Sequence, residues 1–249
     1  MNSNLAYAQV ANKSNNVVQF PETAIYRPTY IYTKDEVKEQ SSEPIRNIQD
    51  ISRMQNYLLN KTGRYGRRNY VIFTLGINLA LRGGDLLEMR VCDFFTEDGE
   101  FRFNRKYRES KTGKIRRLIY NDVVVNLMTA WIKEQHLGYN DLLFKGQKPW
   151  YDDNGYVHYS ISRNSYGIIL SNAAKALGLT ERVCTHTMRK TFCYHRYVNA
   201  PDESKAFVLT KIQETLGHSS QTITLRYLGF SDKDEEELYI NTPLGDILI

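Results

Sequence analysis

A chain of 249 residues with 41% hydrophobic and 24% charged side chains is long enough to bury a real core, and its composition is globular. No run approaches the length needed to span a bilayer, and the start, Met1-Asn-Ser-Asn, lacks the charged and apolar regions of a signal peptide. Three cysteines (Cys92, Cys184, Cys193) at irregular spacing exclude a disulfide framework or a zinc site and fit a reducing cytoplasm, while a net charge of +5 and a pI near 8.9 favour a polyanionic partner.

Residues 1–44 are polar and aperiodic and read as an N-terminal extension. From Glu43-Pro44 onward, Ile48, Ile51, Tyr57 and Leu58 take helical spacing. Asn69–Leu81 is apolar almost all round, which predicts a fully buried helix ending at Arg82-Gly83-Gly84. Asp85-Leu-Leu-Glu88 then reads as the N-cap and N3 acid of a following helix. Over residues 100–120 the period changes to two. Phe101 and Phe103 alternate with Arg102 and Asn104, and Arg116–Tyr120 follows a turn at Lys111-Thr-Gly113-Lys114, which predicts a β-hairpin. Residues 122–137 are helical, 145–160 read as a loop rich in Gly, Asp, Asn and aromatic residues, and further helices are expected at 161–177, 186–198, 203–216 and after Ser219-Ser220. Residues 231–249 form a tail, acidic at first and then apolar. The pattern is mainly α with one small antiparallel β-sheet, an α+β fold.

Three short segments carry chemistry. His186-Thr-Met-Arg189 puts His186 and Arg189 on one helix face, because residues three apart are neighbours there. Val208, Ile212 and Leu216 form a helical stripe that Gly217 ends, so His218 stands at a sharp corner and Ser219 or Ser220 caps the next helix. Tyr227 follows in Thr224-Leu-Arg-Tyr227-Leu-Gly229. Singly, each reads as a solvated face, a helix corner and one tyrosine among 18.

Their order along one chain is specific. Ala80-Leu-Arg82-Gly-Gly-Asp85, Lys111 in a hairpin, His186-x-x-Arg189, Leu-Gly-His218 and Tyr227 together resemble the tyrosine recombinase, or phage integrase, family over roughly residues 45–230. The chemistry is coherent for cleaving a phosphodiester without a metal or other cofactor. A phenol oxygen stores the bond energy covalently. Arg82 and Arg189 match the two non-bridging phosphate oxygens with forked, permanent charge. Lys111 supplies a proton to the departing 5′ oxygen, with Lys114 the rival three residues on. His186 accepts a proton or orients the phenol, and His218 adds a hydrogen bond to the phosphate. For Asp85 the resemblance adds a second role, bracing Arg82.

Residues 102–117 hold Arg102, Arg105, Lys106, Arg108, Lys111, Lys114, Arg116 and Arg117 against one acid, Glu109. On a hairpin that must bring a lysine to a phosphate, Arg105, Lys106, Arg108, Lys114 and Arg116 read as contacts to the DNA backbone, with Lys190 extending the patch. Arg67, Arg68 and Arg196 are weaker additions.

The resemblance implies an α-rich catalytic domain with a small three-stranded sheet, spanning 45–230 between the extension and the tail. It implies a 3′-phosphotyrosyl intermediate, double-stranded DNA carrying a specific recombination site as substrate, and a homotetramer on two sites. Accessory DNA-bending proteins enter as further partners, and the tail is a candidate for exchange between protomers. The helical core-binding domain usual in the family has no counterpart in residues 1–44. Two rival readings are a type IB topoisomerase, which relaxes DNA with a similar site, and a DNA-binding regulator that does no chemistry.

Overall fold

The computed structural model describes residues 42–230. The extension up to residue 41 and the tail after residue 230 lie outside the described residues, and so do the expectations placed on them.

Helix α1 (Ile48–Lys61) starts where the Asn47 side chain accepts from the Gln49 amide, has Asp50 in its first turn and ends on Lys61, each favourable to the helix dipole. It turns Met54 and Leu58 inward. Helix α2 (Gly66–Leu79) is the axis of the fold and packs against α1, α4 and α6. Its apolar surface is buried on nearly every side: Val71, Ile72, Phe73 and Leu75 have no exposure. Burying a side chain such as Phe73 contributes about 2–3 kcal/mol. The helix begins three residues before the expected start and stops at Leu79, because Ala80 takes a left-handed conformation (φ 52°). Short helix α3 (Gly83–Leu87) follows.

The first hairpin pairs β1 (Asn104–Arg108) with β2 (Ile115–Ile119), antiparallel, with Tyr107 opposite Arg116 and Arg108 opposite Ile115. Gly113 turns it at φ 65°. Helix α4 (Asp122–Glu134) is capped by the Asn121 side chain. Residues 145–160, expected as a loop, form a second hairpin of β3 (Lys145–Tyr151) and β4 (Val157–Ser160). The strands escaped sequence reading because apolar side chains stand on their outward face: Tyr151, Val157 and Tyr159 are exposed, which erases the apolar–polar alternation. Instead of one three-stranded sheet, the described residues form two separate two-stranded sheets.

Helices α5 (Arg163–Ala176), α6 (Thr185–Val198), α7 (Lys205–Leu216) and α8 (Gln221–Leu228) complete the described chain. Ser162 and Ser220 cap α5 and α8 through their side chains. The main core is built on α2. A second, smaller cluster of Ala80, Cys193, Leu209, Ile212, Leu216 and Leu228 lies under α6, α7 and α8. Before α1, Ile45 is stitched to α6 by its amide on Thr191 Oγ1 (2.9 Å) and its carbonyl against His195 Nε2 (2.9 Å). Arg46 reaches the Gly229 carbonyl just past α8.

Candidate active site

The left-handed turn at Ala80 swings the chain out of α2 so that Arg82 leaves with extended backbone as the N-cap of α3. Its Nη1 donates to Oε2 of Glu109. Arg189, from α6 and 3% exposed, donates through Nη1 to Glu109 Oε1 (3.2 Å) and through Nη2 to the Thr215 carbonyl (3.4 Å). Thr112 Oγ1 donates to Glu109 Oε2 (3.0 Å), and Arg116 Nη1 stands 3.7 Å from Oε1. The two arginines expected at a phosphate thus converge on a single buried carboxylate. Burial raises the carboxyl, but Arg82, Arg189 and Thr112 outweigh it and hold Glu109 below the usual carboxylate range, hence ionised.

In the sequence Glu109 stands only as the one acid of a basic run. The signal that finds it is the strand period. Arg105 and Tyr107 face inward and Lys106 and Arg108 outward, so the next inward position is 109.

Tyr227 lies on α8, half-buried, with its ring edge-on to His218 at 5.1 Å between centroids and the Lys190 ammonium 4.9 Å from its own centroid. Burial pushes the phenol well above its ordinary value, while Arg189 and Arg82 draw it back down. Gly217, at φ 75°, ends α7 and sets His218 at the corner, where its Nδ1 meets Thr224 Oγ1 at 3.2 Å. Burial, then the positive field of Arg189, Arg82 and Lys190, holds His218 below the usual histidine range. His186, at the start of α6, is also held low by loss of hydration and by Arg163, Arg189, Lys190 and Arg82. The mutual influence of these groups places Arg82, Arg189, His186, His218, Lys190 and Tyr227 within one electrostatic neighbourhood.

Several expectations need correction. Asp85 is inside the first turn of α3 rather than its N-cap, and it does not brace Arg82. Its Oδ1 accepts from the Ser110 amide (3.0 Å) and the Tyr107 hydroxyl (3.4 Å), so it tethers the hairpin next to Lys111; Oδ2 is buried without a hydrogen-bond partner. Glu109 is the carboxylate on Arg82. Arg116 is not a surface DNA contact: in phase with buried Leu118 and Tyr120, it donates to the carbonyls of Ala80 (3.0 Å) and Leu79 (2.9 Å) and closes the end of α2. Lys190 is 7% exposed and lies under the Tyr227 ring instead of reaching solvent. Arg67 is bidentate with Glu134, and Arg68 is buried with Nη1 on the Lys145 carbonyl.

Arg105 pairs with Asp93 and donates to the Cys92 carbonyl (2.7 Å). Lys106, Arg108, Lys111 and Lys114 remain exposed on the hairpin. Lys114 reaches toward the His218 corner, its Nζ 3.1 Å from where a Cβ on Gly217 would stand. Lys111 sits on the turn two residues beyond Glu109. Among the described residues, no group of three His, Cys, Asp or Glu side chains is placed to hold a metal ion, and no helix is long and apolar enough to cross a membrane.

Residues 48–233 match the phage integrase family. The chain is 34% identical over 197 residues to the probable integrase/recombinase YoeC of Bacillus subtilis (strain 168), covering 79% of this chain and 94% of that protein. Among solved structures, the XerH site-specific recombinase bound to palindromic difH substrate in a post-cleavage complex superposes with a TM-score of 0.55 at 20% identity. That match covers 83% of this chain and 54% of XerH, so the chain spans about half of that protein's length. The Tn1549 transposon integrase in complex with a circular intermediate DNA gives 0.54 at 18% identity, covering 84% of this chain and 68% of that one. At such identities the two structures establish the fold.

Proposed function

The chain belongs to the phage integrase family of DNA recombinases, and from that premise we propose that it breaks and rejoins double-stranded DNA at a specific site through Tyr227. The Tyr227 oxygen attacks the scissile phosphorus, the bond to the 5′ oxygen breaks, and the products are a 3′-phosphotyrosyl link and a free 5′-hydroxyl. Burial raises the phenol still further above neutral pH, so the attack needs an acceptor. His186, held below the usual histidine range by loss of hydration and then by its cationic neighbours, fills that role. Arg82 and Arg189 carry the charge that builds on the non-bridging oxygens, and His218 donates to one of them. Removing one such preorganised donor typically costs about 3 kcal/mol of barrier. Lys111 protonates the departing oxygen. The hydroxyl of a partner duplex then reverses the attack, and the phosphotyrosine conserves the energy of the broken bond.

The observation that carries this reading is the meeting of two arginines on one anion beside a tyrosine packed on a histidine. Residues 45–230 form the catalytic domain, the active assembly is a homotetramer on two sites with accessory DNA-bending proteins, and the protein works in a reducing cytoplasm. The named relatives are integrases and recombinases, which favours neither the topoisomerase nor the silent-regulator reading. The test is capture of covalent complexes on host DNA, with sequencing of the attached ends. The wild type should give a denaturation-resistant adduct with DNA 3′ ends. Tyr227→Phe should bind the same DNA, keep its melting temperature and form none. An adduct that persists in the Phe variant assigns the nucleophile elsewhere.

A further inference from the structure

We propose that the Glu109 carboxylate is a built-in stand-in for the scissile phosphate: it holds the seat between Arg82 and Arg189, and a phosphodiester must exchange with it before cleavage. This rests on the reading of those arginines as the phosphate-binding pair. A carboxylate and a phosphodiester present the same recognition chemistry, two anionic oxygens in a plane that guanidinium forks match. Each Glu109 oxygen is already taken by one arginine, and Thr112 and Arg116 close in on the pair. Two anions cannot share these donors without like-charge repulsion in a site where the carboxylate side chain is only 4% exposed.

Nor can Glu109 simply depart. Arg82, Arg116 and Arg189 would be left as buried or half-buried cations without a counterion, a state that is strongly unfavourable. Departure is therefore coupled to arrival of another anion, which makes the event an exchange. The hairpin is built for it. Glu109 directly follows β1, and the segment Ser110–Lys114 after it is exposed, with a tether at Ser110 to Asp85. Because Lys111 lies two residues on, movement of Glu109 moves the proton donor too. The acid would then reach the leaving oxygen only once a phosphate is seated, which guards against futile protonation chemistry elsewhere on the duplex.

The experiment uses orthovanadate as the phosphate-like probe and calorimetric titration of the full chain. Glu109→Gln should bind vanadate at least tenfold more tightly than the wild type, and adding Arg189→Ala should abolish the gain. Equal or weaker binding by Glu109→Gln overturns the exchange, since a carboxylate that only braces the arginines would show its loss as weaker binding. If the Gln variant does not fold, the wild type decides. At saturating vanadate, amide hydrogen exchange over residues 109–114 should rise as the hairpin lets go; unchanged or slower exchange overturns the proposal. The covalent-adduct assay keeps the two readings apart. A Tyr227-dependent adduct without any vanadate gain sinks the exchange alone, whereas the gain without an adduct sinks the recombinase reading and leaves the competition for the seat standing.

Discussion

At the scale of single residues, the site separates groups that touch phosphate from groups that carry protons, and the two kinds should respond differently to a changed leaving group. A 5′-bridging phosphorothiolate departs as a thiolate and needs no proton. It should restore cleavage to Lys111→Ala to within about tenfold of wild type, while Arg82→Ala and Arg189→Ala stay inactive because phosphorane charge is still unsupported. Rescue of Lys114→Ala in its place would move the acid to the lysine that leans toward Gly217. The two histidines make a pH prediction. Both are held below the ordinary value near 6.5, so in acid the unfolded chain binds protons that the folded chain refuses. Their share of stability is fully present above about pH 6.5 and is lost as pH falls below it. Urea midpoints should drop between pH 7.5 and 5.5, and His218→Asn should flatten the slope; an unchanged slope would mean that the imidazole is not held neutral.

At the scale of elements, two glycines set where the site residues stand. A Cβ on Gly76 would lie 2.5 Å from the Met188 sulfur, so α2 and α6 approach closely only because position 76 has no side chain. Gly76→Ala should cost about 1–3 kcal/mol through overpacking, read as a lower denaturation midpoint. Gly217 holds a left-handed conformation and faces Lys114, so Gly217→Ala should cost about 1–2 kcal/mol and slow adduct formation by displacing His218. Elements of this kind were legible where a single period ruled. The apolar α2, the Leu216-Gly217 stop and the basic hairpin all came from local pattern. What local pattern hides is partnership across the chain. The Asp85-Leu-Leu-Glu88 spacing looks like a cap, yet the helix starts earlier because Ala80 turns left-handed, and Asp85 is freed to hold the hairpin. Arg116 reads as a surface cation until Leu118 and Tyr120 fix which strand face is inside. Arg82, Lys111, Arg189, His218 and Tyr227 follow from their order; the strand period puts Glu109 on the inward face, but that it joins two of them only the fold shows.

At the scale of the whole molecule, a modest charge excess is unevenly spent. Arg105, Arg116, Arg67, Arg68 and Lys190 are engaged within the protein, which leaves Lys106, Arg108, Lys111, Lys114 and Arg117 as the exposed cations of the hairpin. Each phosphate contact contributes about 0.9 to the slope of log affinity against log salt. Lys106→Ala and Arg108→Ala should therefore each reduce that slope by about one on duplex DNA. Arg116→Ala should leave the slope alone and instead destabilise the fold by about 1–3 kcal/mol, the cost of stranding the α2 carbonyls. A slope that falls with Arg116→Ala at unchanged stability would return that residue to the DNA surface.

The Arg46 bond to the Gly229 carbonyl, with Pro44 packed on the same glycine, brings residues separated by 183 positions into contact. The described chain is in effect a ring with a gap one contact wide, and the gap lies two residues from the nucleophile. Sequence order is then a weak constraint on this fold. A circular permutant that joins Phe230 to Ser42 through a short flexible linker and opens at the exposed Asn154 turn between β3 and β4 should keep every helix where it is. Such a chain also turns the gap into a covalent span, so the length of the linker becomes a dial on the freedom of α8 and of the tyrosine it carries.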